Sequence, residues 1–123
     1  MTKLKQVIVV RKDLNMRKGK MIAQGAHASA TIVFNATAGS DTHWLDKVVT
    51  WMNQGQKKIS VSVDSEQELL EVFKKAQEEG LPVELITDAG HTEFNGVPTK
   101  TCCAIGPGLE SKVDQITGHL KLL

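Results

Sequence analysis

LKQVIVVR, residues 4–11, contains the unbroken run Val7–Ile8–Val9–Val10. A strand with one wet face alternates apolar and polar residues, and this one leaves no wet face. It reads as a strand buried on both sides, which is how strands look in a sheet covered by helices. A polar turn, KDLNMRKG, follows at residues 12–19. Residues 19–38 then read as a helix, with Ile22, Ala26, Ala30 and Val33 spaced i, i+4, i+8, i+11 as its expected inward stripe. Residues 41–53 read as a second helix, with Trp44, Val48 and Trp51 or Met52 inward and Gly55 beyond its end.

Residues 58–63 alternate Ile59, Val61, Val63 against Ser60 and Ser62, a strand pattern. Ser65 and Glu68 have capping-box spacing and open a third helix that carries Leu69, Phe73 and Ala76 and closes at Gly80. Residues 82–87 read as a short strand, AGHTEFNGVP (89–98) as a turn-rich connection, and 99–105 as a fourth strand. GPG at 106–108 is expected to break that strand before a last helix over 109–117. The order is β-α-α-β-α-β-β-α. Two helical crossovers imply parallel pairings and the short last connection implies an antiparallel one. The expectation is an α/β fold, a three-layer α/β/α sandwich around a mixed four-stranded sheet.

The 123 residues make one domain (1–123), long enough to bury roughly two thirds of the unfolded surface. No apolar run approaches the ~20 residues of a membrane span. The first residues lack the apolar core of a signal peptide, so the expected location is the cytoplasm, with no membrane partner. Cys102 and Cys103 are adjacent and would point to opposite faces of a strand, as reduced, half-buried fillers. The histidines have no metal-ligand spacing. Tyrosine is absent and aromatics are 4% of the chain, which argues against base stacking on an aromatic platform. The net charge of +1 hides an asymmetry. Lys3, Lys5, Arg11, Lys12, Arg17, Lys18 and Lys20 face only Asp13 in the first 20 residues, while residues 64–84 are mostly acidic. Such polarity is either the footprint of a polyanionic partner or two ordinary solvated faces.

Three stretches could carry chemistry. Lys20, Gln24, His27 and Thr31 share one face of the first long helix. A solvated face normally carries several Glu, Lys and Arg, and this one has only Lys20 among small residues. It is either that solvated face or a half-sheltered row able to hold an anion and orient a water. His27 alone reads more readily as a structural imidazole. TDAGHT, 87–92, puts Asp88 just past a strand with Gly90 free to turn at positive φ. Asp88 there either lines a site or caps the strand end by an Asx-turn. Thr92, Thr99 and Thr101 add hydroxyls or are simple strand formers. IGPG, 105–108, is either a backbone cradle for phosphate, through Gly106 and Gly108, or a plain turn into a helix.

Together, VVRKDLNMRKGKMIAQGAHA (9–28), ITDAGHTEF (86–94), and AIGPG (104–108) followed by VDQITGHLKLL (113–123) resemble the type 2 peptidyl-tRNA hydrolases of archaea and eukaryotes. The segments stand in that family's order and span nearly the whole chain. The resemblance implies the α/β sandwich already read, a homodimer, and hydrolysis of the ester between a peptide and the tRNA 3′ ribose. It implies no metal and no organic cofactor. Carried over by position, Lys20, Gln24, His27, Asp88, Thr92 and Thr101 are the catalytic candidates. Arg11, Lys12, Arg17, Lys18, Gly90, His91, Gly106 and Gly108 are the tRNA-binding candidates. The chain departs from the pattern at His91, where the family has arginine, and at Ala26, where it has serine. Competing readings are a deacylase acting on unblocked aminoacyl-tRNA and a non-enzymatic module that binds a protein partner.

Overall fold

The structure is a computed structural model that describes residues 2–91 and 93–123. Strand β1 (Leu4–Arg11) is followed by helix α1 (Lys18–Thr37), a 3-10 turn (Thr42–Trp44) and helix α2 (Leu45–Asn53). Then come β2 (Lys58–Val63), α3 (Glu66–Glu78), β3 (Val83–Asp88), β4 (Thr99–Leu109), α4 (Glu110–Thr117) and the short β5 (Lys121–Leu122). The sheet order is β3-β4-β1-β2-β5.

The double-sided burial read from residues 4–11 is present. Val7 and Val9 join Leu69, Val72, Val113 and Ile116 in a core under α3 and α4. Ile8 and Val10 join Ala28, Ile32, Ala36 and Val48 in a second core under α1 and α2. Cys102 belongs to the second core and Cys103 to the first, so neighbouring cysteines do point to opposite faces. The Ser65 side chain accepts from Glu68 N–H at 3.0 Å and starts α3 as the capping pattern requires. Trp51 is fully buried, and its indole N–H donates to the Lys57 carbonyl at 3.0 Å.

Four details differ from the sequence expectation. The sheet has five strands, because Lys121–Leu122 pairs antiparallel with β2 over a stretch too short to carry a periodic signal. Among the described residues only the β1–β2 pairing is parallel. β4 pairs antiparallel with both β1 and β3 and so separates them. Its run Thr101–Ile105 is wholly apolar or small and fully buried, and takes an interior place beside β1, whereas polar β3 goes to the edge. GPG does not end β4, which continues to Leu109 through a register shift against β1.

The fourth difference concerns α1. Its buried face is Gln24, Gly25, Ala28, Ser29, Ile32 and Ala36. Three of the four residues of the expected inward stripe point outward, with Ile22 73% exposed and Ala26 and Ala30 also exposed, while Val33 is half-buried against the second core. Close approach rather than hydrophobicity chose the face. A Cβ on Gly25 would lie 3.3 Å from Ile8 Cγ2, so small residues at 25, 28 and 29 let the helix settle onto the sheet.

Candidate active site

Asp88 ends β3, and four groups converge on or behind its carboxylate. Lys20 Nζ donates to Oδ1 at 2.8 Å, and Gln24 Nε2 donates to the same oxygen at 3.3 Å. The two donors lie one turn apart on α1, which is why the spacing of four residues matters. The Gly90 N–H donates to Oδ2 at 2.9 Å. Behind them, the fully buried Thr101 hydroxyl on β4 donates to Gln24 Oε1 and fixes which way that amide faces. One oxygen of Asp88 thus closes the turn expected of it, and the other enters the cluster with Lys20 and Gln24.

Gly90 makes the turn. Its φ is +85°, and a Cβ there would collide with the Val97 backbone. Its carbonyl accepts from Gly96 N–H at 2.8 Å, which closes the connection on itself. The side chains of Lys20 and Asp88 are only 16% and 14% exposed, so the ion pair is largely covered while still in reach of solvent. The Phe94 ring lies 6.0 Å from Lys20 Nζ and forms part of that shelter.

The Lys20 hydrogen bond holds the Asp88 carboxyl below the usual carboxylate range. Burial opposes it, while the Gly90 amide and the charges of Lys20 and His91 add to it. The site thus holds a fixed anion beside a fixed cation. Such a pair can orient a water and stabilise negative charge that develops next to it. The cysteines cannot serve as nucleophiles. Burial pushes the Cys102 thiol up to about 11 and Cys103 higher still. Among the described residues, no three His, Cys, Asp or Glu side chains converge as metal ligands. No helix among them is long and apolar enough to cross a membrane.

The other candidates fall in three places. Lys12, Arg17 and Lys18 are exposed on the segment leading into α1, and His91 is exposed beside Asp88. Arg11 is not free in the same way. Its guanidinium bonds Asp13 at 2.7 Å and the Lys100 carbonyl at 3.1 Å, so it braces the entry to β4. His27 is exposed, and its charge favours the ionised form of Glu84. Gly90 is buried, and its contribution is the turn itself.

Gly106 and Gly108 do not reach the cluster. They lie buried at the opposite end of β4, where a Cβ on Gly106 would strike the Lys5 carbonyl and one on Gly108 would strike Leu81. About seven strand residues, roughly 20 Å, separate them from Asp88, so the phosphate-cradle reading is corrected to a close-packing one. Thr92 lies outside the described residues.

A family model described as "Peptidyl-tRNA hydrolase PTH2" matches residues 4–123. The chain belongs to this family. A peptidyl-tRNA hydrolase of Methanocaldococcus jannaschii is 48% identical over 120 residues, covering 98% of this chain and all of that protein. Those of Metallosphaera sedula and Sulfolobus acidocaldarius are 44% and 46% identical, at 98% of this chain and all of theirs. Two neighbours in this PTH2 chain were missed by the sequence reading. Phe94 shelters Lys20, and Glu93 lies 3.8 Å from Arg17. Both sit within the quoted 86–94 segment, but neither has a spacing that marks it.

Proposed function

We propose that this chain hydrolyses the ester joining a peptide to the 3′ ribose of tRNA, with Lys20 and Asp88 at the reacting centre. The observation that carries the reading is the sheltered ion pair, 2.8 Å between Lys20 Nζ and Asp88 Oδ1. Asp88 holds a water against the ester carbonyl. Lys20 sits where the carbonyl oxygen gains charge. As the C–O bond forms, the water proton passes to Asp88 and then to the departing ribose oxygen, which leaves as the free 3′-hydroxyl. The peptide leaves as its carboxylic acid, which gives the water's second proton to solvent and becomes the carboxylate. Gln24 and Thr101 are positioning residues that hold Asp88 and do not meet the ester. Thr92 is assigned a donor role by its place in the family segment, His27 a bracing role at the rim, and no cofactor takes part. The whole of 1–123 is one such domain, acting in the cytoplasm where translation proceeds.

The test is side-by-side release from N-acetyl-aminoacyl-tRNA and unblocked aminoacyl-tRNA by the purified protein. Release from the blocked substrate alone is the expected outcome. Release from the unblocked one alone would establish a deacylase instead.

Lys12, Arg17 and Lys18 hold acceptor-stem phosphates, with His91 closer to the ester. Three neutralised phosphates give a log–log dependence of binding on salt with a slope of about −2 to −3. Lys12→Ala with Lys18→Ala is expected to lower that slope by about two, raise KM and leave kcat alone. Titrations at several salt concentrations check this, and an unchanged slope would remove the basic segment from tRNA binding.

The outward stripe of α1 fits a homodimer. Ile22 and Phe34 are 73% and 60% exposed and stand among exposed alanines, so a second helix could approach closely. The wild type is expected to run as a dimer by light scattering, and Ile22→Asp with Phe34→Asp as a monomer. Equal masses for the two proteins would place any interface elsewhere.

A further inference from the structure

The proposed chemistry leaves the peptide half of the substrate unplaced, and the free edge of β3 leads to Asp88. The Gly106 N–H donates to the Pro82 carbonyl at 2.8 Å, and Glu84 pairs with Ala104. In an antiparallel ladder this turns the backbone N–H and C=O of Val83 and Leu85 away from β4. β3 is the terminal strand, so these groups face outward, and among the described residues no strand lies beyond them. Leu85 and Val83 lie three and five residues before Asp88, about 10 and 17 Å back along the strand.

That edge leads into a groove of about 380 Å³. Asp41, His43 and Trp44 from the α1–α2 connection form one wall, and Phe73 and Gln77 of α3 form the other. Val83 and Glu84 form its floor. α1 flanks the same route from above. α1 packs along β3, with Lys20 and Gln24 bonding Asp88 and His27 about one turn farther on, so the polar helix face follows the edge away from the site.

The geometry points to the β3 edge as the binding track for the peptide moiety of peptidyl-tRNA, which adds as a parallel strand with its C-terminal ester at Asp88. This rests on the hydrolase reading above. β3 runs toward Asp88, and the peptide also runs toward its C-terminal ester, so the two chains are parallel. Main-chain hydrogen bonds to an edge do not depend on side chains. They suit an enzyme whose substrates differ in peptide sequence, and they give a free aminoacyl group nothing to hold. The groove accepts side chains about four to six residues from the ester.

The test uses the full chain with tRNA carrying an acetylated amino acid, or an acetylated tri- or pentapeptide. kcat/KM is expected to rise about tenfold from the first to the last, the size of two or three net hydrogen bonds, and then to level off. Single N-methylation of successive peptide amides is expected to lower kcat/KM in an alternating pattern, since only every second residue faces the edge. Leu85→Pro removes an outward N–H and leaves the β4 ladder intact. It is expected to keep the wild-type circular dichroism spectrum and activity on the acetylated amino acid while flattening the length dependence, which Leu85→Ala retains.

Hydrolysis independent of peptide length, or equal losses from every N-methyl group, would overturn the track while leaving the hydrolase reading intact. Failure to hydrolyse any of the blocked substrates would overturn the hydrolase reading itself. A Leu85→Pro protein that becomes monomeric with its length dependence unchanged would assign the edge to a second copy of the chain, and also overturns the proposal. If Leu85→Pro does not fold, the N-methyl series on the wild type decides alone.

Discussion

Lys20→Ala is expected to lower kcat for N-acetyl-aminoacyl-tRNA by about 10²- to 10³-fold, the usual effect of losing one donor to a developing oxyanion. Its KM should change far less, because Lys12, Arg17 and Lys18 remain to hold the phosphates. The substitution also leaves Asp88 with a less compensated charge in a place only 14% exposed. Some loss of thermal stability should therefore accompany it. Lys20→Arg keeps the charge but spreads it over a planar fork that cannot occupy the place of a compact ammonium. It is expected to restore the stability and little of the rate. Steady-state kinetics and thermal melts on the three proteins check both parts. A Lys20→Ala enzyme with wild-type kcat would remove the lysine from the chemistry.

Asp88→Asn should cost about 10²- to 10⁴-fold in kcat through loss of the group that holds and deprotonates the water. The neutral amide also fits its neighbours poorly. Whichever side faces Gly90, at least one of the donors from Gly90, Gln24 and Lys20 meets an N–H instead of an oxygen. The pH dependence follows from the direction of the Asp88 shift. The folded value lies below the ordinary carboxylate one, first because of the Lys20 hydrogen bond. The stability contributed by the pair is thus fully present above the ordinary carboxylate range, near pH 4, and is lost as pH falls through the lower folded value. No ionisation of Asp88 should appear in kcat between pH 5 and 8. Profiles measured with His27→Gln and His91→Gln in place remove the neighbouring imidazoles. An inflection in that window in this background would contradict the assignment.

How far the sequence could be read depended on how strong a local signal each feature carried. Val7–Val10 is apolar on both faces and placed β1 between helix layers. Ser65 and Glu68 form a cap whose spacing is local, and α3 starts where they stand. Gly90 and Asp88 were legible for the same reason, since a turn that needs positive φ leaves a mark at one residue. α1 was legible as a helix but not in its orientation. With alanine, glycine and serine on every side, its apolar contrast is low, and packing against Ile8 decided which side went in. The result buried Gln24 and exposed Ile22, the reverse of what hydrophobicity suggests. Strand order was hidden too. The neighbours of β4 are fixed by long-range competition between the apolar run Thr101–Ile105 and the polar residues of β3, which no local pattern expresses. Gly106 and Gly108 looked like a phosphate loop because glycine marks both ligand contacts and tight packing, and only the three-dimensional neighbours Lys5 and Leu81 separate the two.

The site repeats this division. Lys20 and Gln24 at i and i+4 stood out because they interrupt a run of small residues. Thr101 did not, since a threonine in a strand is unremarkable until its hydroxyl is found on the Gln24 amide. Phe94 had no sequence signal at all, because its role is a distance to Lys20 across the fold.

A double-mutant cycle on Lys20 and Asp88, read as kcat on N-acetyl-aminoacyl-tRNA, tests the central claim that the two work as one unit. The prediction is strong non-additivity. Lys20→Ala with Asp88→Ala should be no slower than the slower single mutant, since the second change removes a group already disabled and restores charge balance. Losses that multiply in the double mutant would mean that the two residues act independently, and would contradict the account.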